Sequence, residues 1–88
     1  LKVTGDFLLD VTGGITIKSA KTVLVNAGST LTAKAGTALT NKAGMGLVNE
    51  AGTTLDNKAA MITHKASAMQ TVDGGGMLTV KGGLVKIN

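Results

Sequence analysis

The chain has 88 residues, 43% of them apolar, with 13 glycines, a single aromatic side chain at Phe7, and neither proline nor cysteine. Its net charge is +4, from nine lysines and five acids, with no arginine. That length suits one small domain, but so few large side chains give a thin core, and disulfide stapling is excluded, which leaves association with other chains as the means of stabilisation. From Val3 onward the sequence repeats every eight residues. Successive octads begin at Val3, Val11, Ser19, Ala27, Ala35, Ala43 and Ala51, and their fifth places hold Phe7, Ile15, Val23, Leu31, Leu39, Leu47 and Leu55. The seventh places start apolar at Leu9, Ile17 and Val25, pass through Ala33, and become Asn41, Asn49 and Asn57. The eighth places, from Asp10 to Lys58, are all polar.

Four consecutive octads carry glycine second, at Gly28, Gly36, Gly44 and Gly52, which predicts a corner needing unusual backbone angles or close packing. Beyond Lys58 the period shortens. "AAMITHK" and "ASAMQTV" read as seven-residue units with Ile62 and Met69 in the apolar place, and "DGGGMLTVK" and "GGLVKIN" close the chain. The organisation expected is one repeat-built fragment, 1–88, of a larger protein, with regular octads over 3–58, an irregular stretch over 59–72 and a closing stretch over 73–88.

Helix is a poor reading, because an eight-residue period drifts around a 3.6-residue turn and the glycines weaken it. Alternations such as "ITIK", "VLVN" and "LTVK" are strand-like. At about 3.3 Å per residue an octad spans roughly 26 Å, enough for one face of a three-sided prism and too little for a closed turn. A single chain winding alone would make only a short, marginal stack. Three intertwined copies would give every column residue two symmetry mates. The fold class expected is therefore all-β, an intertwined homotrimeric triple-stranded β-helix or β-prism, with Phe7, Ile15, Val23, Leu31, Leu39, Leu47, Leu55, Ile62 and Met69 as the trimer core.

The tandem octads, followed by "GGGMLTVKGGLVKIN" at 74–88, resemble the C-terminal needle of VgrG, the central spike of bacterial type VI secretion, and the related needles of phage cell-puncturing tail proteins. The resemblance covers essentially the whole chain. It implies a homotrimeric needle that extends from a larger base and is pushed through a target membrane by a contractile machine. Such a needle presents its distal end to a PAAR-repeat tip protein, with effectors or adaptors as cargo. It would be assembled in the bacterial cytoplasm and then secreted into the extracellular space or a target cell. On this resemblance Gly82, Gly83, Leu84, Val85, Lys86, Ile87 and Asn88 lie close to the tip-binding surface.

Other features carry less. His64 falls in the column of Asn41, Asn49 and Asn57; it reads first as a surface or hydrogen-bonded side chain, and only secondarily as one of three axial metal ligands, so no metal or cofactor is assigned. The asparagines are either stacked amides inside a rod or outward polar groups, and both readings stand. Gly74, Gly75 and Gly76 lack the Lys-Ser/Thr pair of a phosphate loop and read as a kink or crossover. Met45, Met61, Met69 and Met77 read as adaptable filler. The lysines are spread along the chain and, without arginine or aromatic neighbours, read as a solvated face with no nucleic-acid role. No apolar run reaches the ~20 residues of a membrane span. The scattered acids and absent nucleophile motif argue against an enzyme. The runner-up is a monomeric β-solenoid binding module, such as an ice- or surface-binding protein, but the threonines hold no single place of the octad. A self-assembling fibre is a third reading, which lysines at the corners oppose.

Overall fold

The backbone changes direction at the interval of the sequence repeat. The computed structural model describes all 88 residues, Leu1–Asn88, and they divide into two units, Leu1–Met45 and Gly46–Asn88. In the first unit the chain bends at Thr4–Gly5, Thr12–Gly13, Ala20–Lys21, Gly28–Ser29, Gly36–Thr37 and Gly44–Met45, one bend every eight residues. In the second unit it bends at Gly52–Thr53 and Ala60–Met61, then after seven residues at Ser67–Ala68, and again at eight-residue intervals at Gly75–Gly76 and Gly83–Leu84. The octad corner therefore exists, at the second and third places of all seven regular octads.

The segments between the corners do not pair. The chain contains no helix and no strand, and within each unit no residue packs against another distant in sequence. This corrects the expected all-β, triple-stranded β-helix or β-prism. The physical reason lies in the backbone. A strand is defined by its ladder of inter-strand hydrogen bonds, and within each unit no segment comes near enough to another to supply that second edge. Apart from the turn at Met77, no backbone N–H donates to a backbone carbonyl.

Nor is there a core. Every residue is exposed, and no hydrophobic side chain is buried. The accessible surface is 9978 Å². A folded monomer of this mass would expose about 4,700 Å² and the unfolded chain about 12,600 Å². The chain thus lies nearer the unfolded limit and leaves uncovered roughly 5,000 Å² that a folded protein of this mass would hide.

The corner glycines hold a second correction. Only Gly75 has a positive φ, and a Cβ at Gly28, Gly36, Gly44 or Gly52 would meet nothing within 4 Å. Within a single chain, neither unusual angles nor close packing requires glycine at those four corners. Bends at Ala20–Lys21, Ala60–Met61 and Ser67–Ala68 form with no glycine at all. At the first of these the Lys21 N–H donates to Ser19 Oγ at 3.1 Å, a side-chain acceptor holding the corner locally.

Candidate functional site

Measured from the bends, each column of the repeat takes a fixed address. The apolar residues Phe7, Ile15, Val23, Leu31, Leu39, Leu47 and Leu55 each follow a bend by two positions. Their exposures lie between 52% and 64%, whereas the neighbours one place on, Leu8, Leu24 and Val48, are 81% to 86% exposed. Successive side chains of an extended backbone point to opposite sides, so in those three octads Phe7, Val23 and Leu47 lie on the more sheltered side of the segment. Ile62 and Met69 depart from that address: both come directly after their bends, one position early. Leu78 recovers it, two residues past Gly75–Gly76, and is a column member that the sequence repeat alone does not show.

The charged residues follow an equally strict rule. In the first unit the positions two before each bend are Lys2, Asp10, Lys18, Asn26, Lys34 and Lys42; in the second they are Glu50, Lys58, Lys65, Asp73 and Lys81. All but Asn26 are charged. Seven lysines against three acids account for the whole net charge of +4, and the remaining Lys21, Lys86, Asp6 and Asp56 cancel. The octad count shows this row only as far as Lys58. The bends extend it through Lys65, Asp73 and Lys81, because they absorb the seven-residue step.

Gly74 to Met77 carries the one backbone–backbone hydrogen bond of the chain. The Met77 N–H donates to the Gly74 carbonyl at 3.2 Å, and the Gly75 N–H donates to Asp73 Oδ1 at 2.9 Å. With φ of +66° at Gly75 and no positive φ at Gly76, this is the pattern of a type II′ turn. Asp73 supports it from the row of charged places. The Gly-Gly-Gly block is accordingly a chain reversal.

The positions expected near a tip protein, Gly82 to Asn88, carry one bend, at Gly83–Leu84. Two of their side chains, Leu84 and Ile87, are among the most exposed apolar groups of the chain, at 87% and 90%. His64 sits three residues before its bend, in register with Asn41, Asn49 and Asn57. No group of three His, Cys, Asp or Glu side chains comes together to hold a metal ion. No pocket forms along the chain, and no helix is long and apolar enough to cross a membrane. Comparisons with protein-family models, with curated proteins and with solved structures find no match to this chain.

Proposed function

We propose that this chain is the structural needle of a contractile injection machine of the type VI secretion kind, acting as a homotrimer that punctures a membrane and carries a PAAR-type tip protein or effector cargo at its distal end. The observation that carries this reading is the fifth-place apolar column, repeated at every corner of the regular octads and left more than half exposed at each member by the chain itself. About 5,000 Å² of excess surface per chain is far more than the roughly 800 Å² that each partner buries in an ordinary specific interface. A repeat with one fixed seam suits copies of itself, since identical chains in register offer one another the same column at every level.

The role is mechanical rather than catalytic, and the needle is assembled in the cytoplasm before delivery outward. The sequence block at 74–88 supports the distal placement of Gly82 to Asn88, and the exposed Leu84 and Ile87 offer a tip protein apolar contacts. A monomeric solenoid draws less support, because a chain wound on itself would bury its column and this one buries none of it.

The test is the solution mass by light scattering on a sizing column, joined to capture of a PAAR-repeat protein. A particle of three chains is expected, and deletion of 82–88 abolishes capture without changing that mass. A particle of one chain, or capture that survives the deletion, overturns the reading.

A further inference from the structure

We propose that Asp73 is a site of spontaneous covalent modification, in which the Gly74 backbone nitrogen closes a succinimide ring on the Asp73 side chain and hydrolysis leaves an isoaspartyl linkage. The inference goes beyond the reading of the chain as a needle and does not rest on it, since every group it needs lies within residues 73–75 of the second unit. Its basis is the turn. The Gly75 N–H donates to Asp73 Oδ1 at 2.9 Å, and the ring closed by that bond contains both reacting atoms, Asp73 Cγ and the Gly74 nitrogen. When the nitrogen attacks the neutral carboxyl, negative charge gathers on the carbonyl oxygen. A donor already aimed at that oxygen lowers the barrier, as in an oxyanion hole. The Gly74 N–H itself donates to no group of the chain, so no hydrogen bond has to break to free the nucleophile. Every residue of the turn is exposed, so water reaches the ring once it has formed.

The step balances without any outside reagent. The bond from the Gly74 nitrogen to Asp73 Cγ forms, the bond from Cγ to Oδ2 breaks, and Oδ2 leaves as water with the carboxyl proton and the amide proton. Water then returns to one of the two ring carbonyls. Opening at Cγ restores aspartate. Opening at the main-chain carbonyl routes the backbone through Cβ and Cγ, lengthens it by one methylene and leaves the former main-chain carbonyl as a free carboxylate. Oδ1 then belongs to the backbone, so Gly75 loses its side-chain acceptor and the turn loses that support. Glycine at 74 is what lets the ring close, because a side chain after the aspartate would crowd the nitrogen. The turn itself demands that glycine, since a Cβ there would collide with the Met77 carbonyl oxygen and stand 2.7 Å from the Leu78 Cβ. Asp6, Asp10 and Asp56 are followed by Phe7, Val11 and Asn57, and none of the three accepts a hydrogen bond from the chain.

The experiment incubates the full chain at neutral pH and physiological temperature, digests it after lysine, and follows the fragment 66–81, in which Asp73 is the only acid, by mass spectrometry. Isoaspartate is expected to accumulate there, preceded by a species lighter by one water, while the fragments bearing Asp6, Asp10 and Asp56 lag far behind. Val11→Gly supplies the comparison, because it sets a glycine after Asp10, whose carboxyl no hydrogen bond reaches. Asp73 is expected to react about tenfold faster than Asp10 of that variant, a barrier difference of about 1.4 kcal/mol. Gly75→Val strains the positive φ and opens the turn while keeping the Asp73–Gly74 pair, so it should slow the reaction at Asp73 by about tenfold as well. Gly76→Ala, whose added Cβ meets nothing within 4 Å, should leave the rate unchanged. Equal rates at Asp73 and at Asp10 of Val11→Gly overturn the proposal, because any aspartate before a glycine would then react alike. A full rate in Gly75→Val overturns it too, since the donor at Oδ1 would not matter. A fragment 66–81 free of isoaspartate does so outright, and the hydrogen bond from Gly75 then guards the carboxyl instead of activating it.

Discussion

On the proposed trimeric needle, replacing Leu39 by aspartate is expected to reduce the particle from three chains to one. Leu39 stands two residues after the Gly36–Thr37 bend and is 60% exposed in the single chain. In the proposed trimer its remaining surface would be hidden where copies meet along the column. Removing a buried leucine side chain costs about 2–5 kcal/mol, and the substitution acts in every copy at the same level. Aspartate adds a worse term, because carboxylates brought together in an apolar seam have no cation to pair with and each carries a desolvation cost of several kcal/mol. The corresponding change at Leu24, one place past the column and 81% exposed, leaves the mass at three chains. Light scattering on both variants decides between them. A three-chain mass for Leu39→Asp, or a one-chain mass for Leu24→Asp, shows that the column is not the seam. The milder Leu39→Ala should retain the trimer at high concentration and lower its melting temperature.

Much of the local architecture was legible in the residues. The period of eight, the position of the corner and the apolar column can all be read from Phe7 to Leu55, because turn-tolerant small residues and a recurrent branched apolar residue keep a constant separation. Pairing was not legible. Alternations such as "VLVN" state a preference for extended backbone, and the chain honours it, but a strand also requires an edge to bond with. Whether an edge is at hand depends on what surrounds the segment, which is why tertiary context overrides strand propensity. The corner glycines misled for a related reason. Glycine at Gly28, Gly36, Gly44 and Gly52 suggests strained angles or crowding, and the single chain has neither there.

The C-terminal third was obscured by the choice of marker. Counting from the apolar place loses the register after Leu55, since Ile62 and Met69 arrive one position early. Counting from the charge just before each bend keeps it, from Lys58 through Lys65 and Asp73 to Lys81. The charged place is the better marker because it lies next to the corner and is insensitive to a residue dropped between corner and column. Leu78 and the supporting role of Asp73 both follow from that second register. The division of the chain after Met45 has no such signature, as the octad runs across it unchanged.

The second large effect concerns the turn that precedes residues 82–88. On the proposed reading, in which residues 82–88 hold a tip protein, Gly74→Ala should cost at least tenfold in affinity for it while leaving the particle's mass unaltered. A Cβ at Gly74 would collide with the Met77 carbonyl oxygen and stand 2.7 Å from the Leu78 Cβ, and both obstacles belong to backbone or to a side-chain root that cannot swing away. The turn must open, breaking the 3.2 Å bond from the Met77 N–H to the Gly74 carbonyl and re-aiming everything from Met77 to Asn88. Gly75→Val should act through a different term. With φ at +66°, a β-branched residue there is strained by about 1–3 kcal/mol, whereas Gly75→Asn should be milder because asparagine accepts positive φ more readily. Gly76→Ala is the control: its φ is not positive and an added Cβ meets nothing within 4 Å. The order of tip binding expected is therefore unaltered chain and Gly76→Ala together, Gly75→Asn somewhat lower, and Gly75→Val and Gly74→Ala at least tenfold down, a free-energy loss of about 1.4 kcal/mol or more. If Gly74→Ala captures a PAAR-repeat protein as well as Gly76→Ala does, the turn does not aim the distal end, and the contact must be sought elsewhere along the chain.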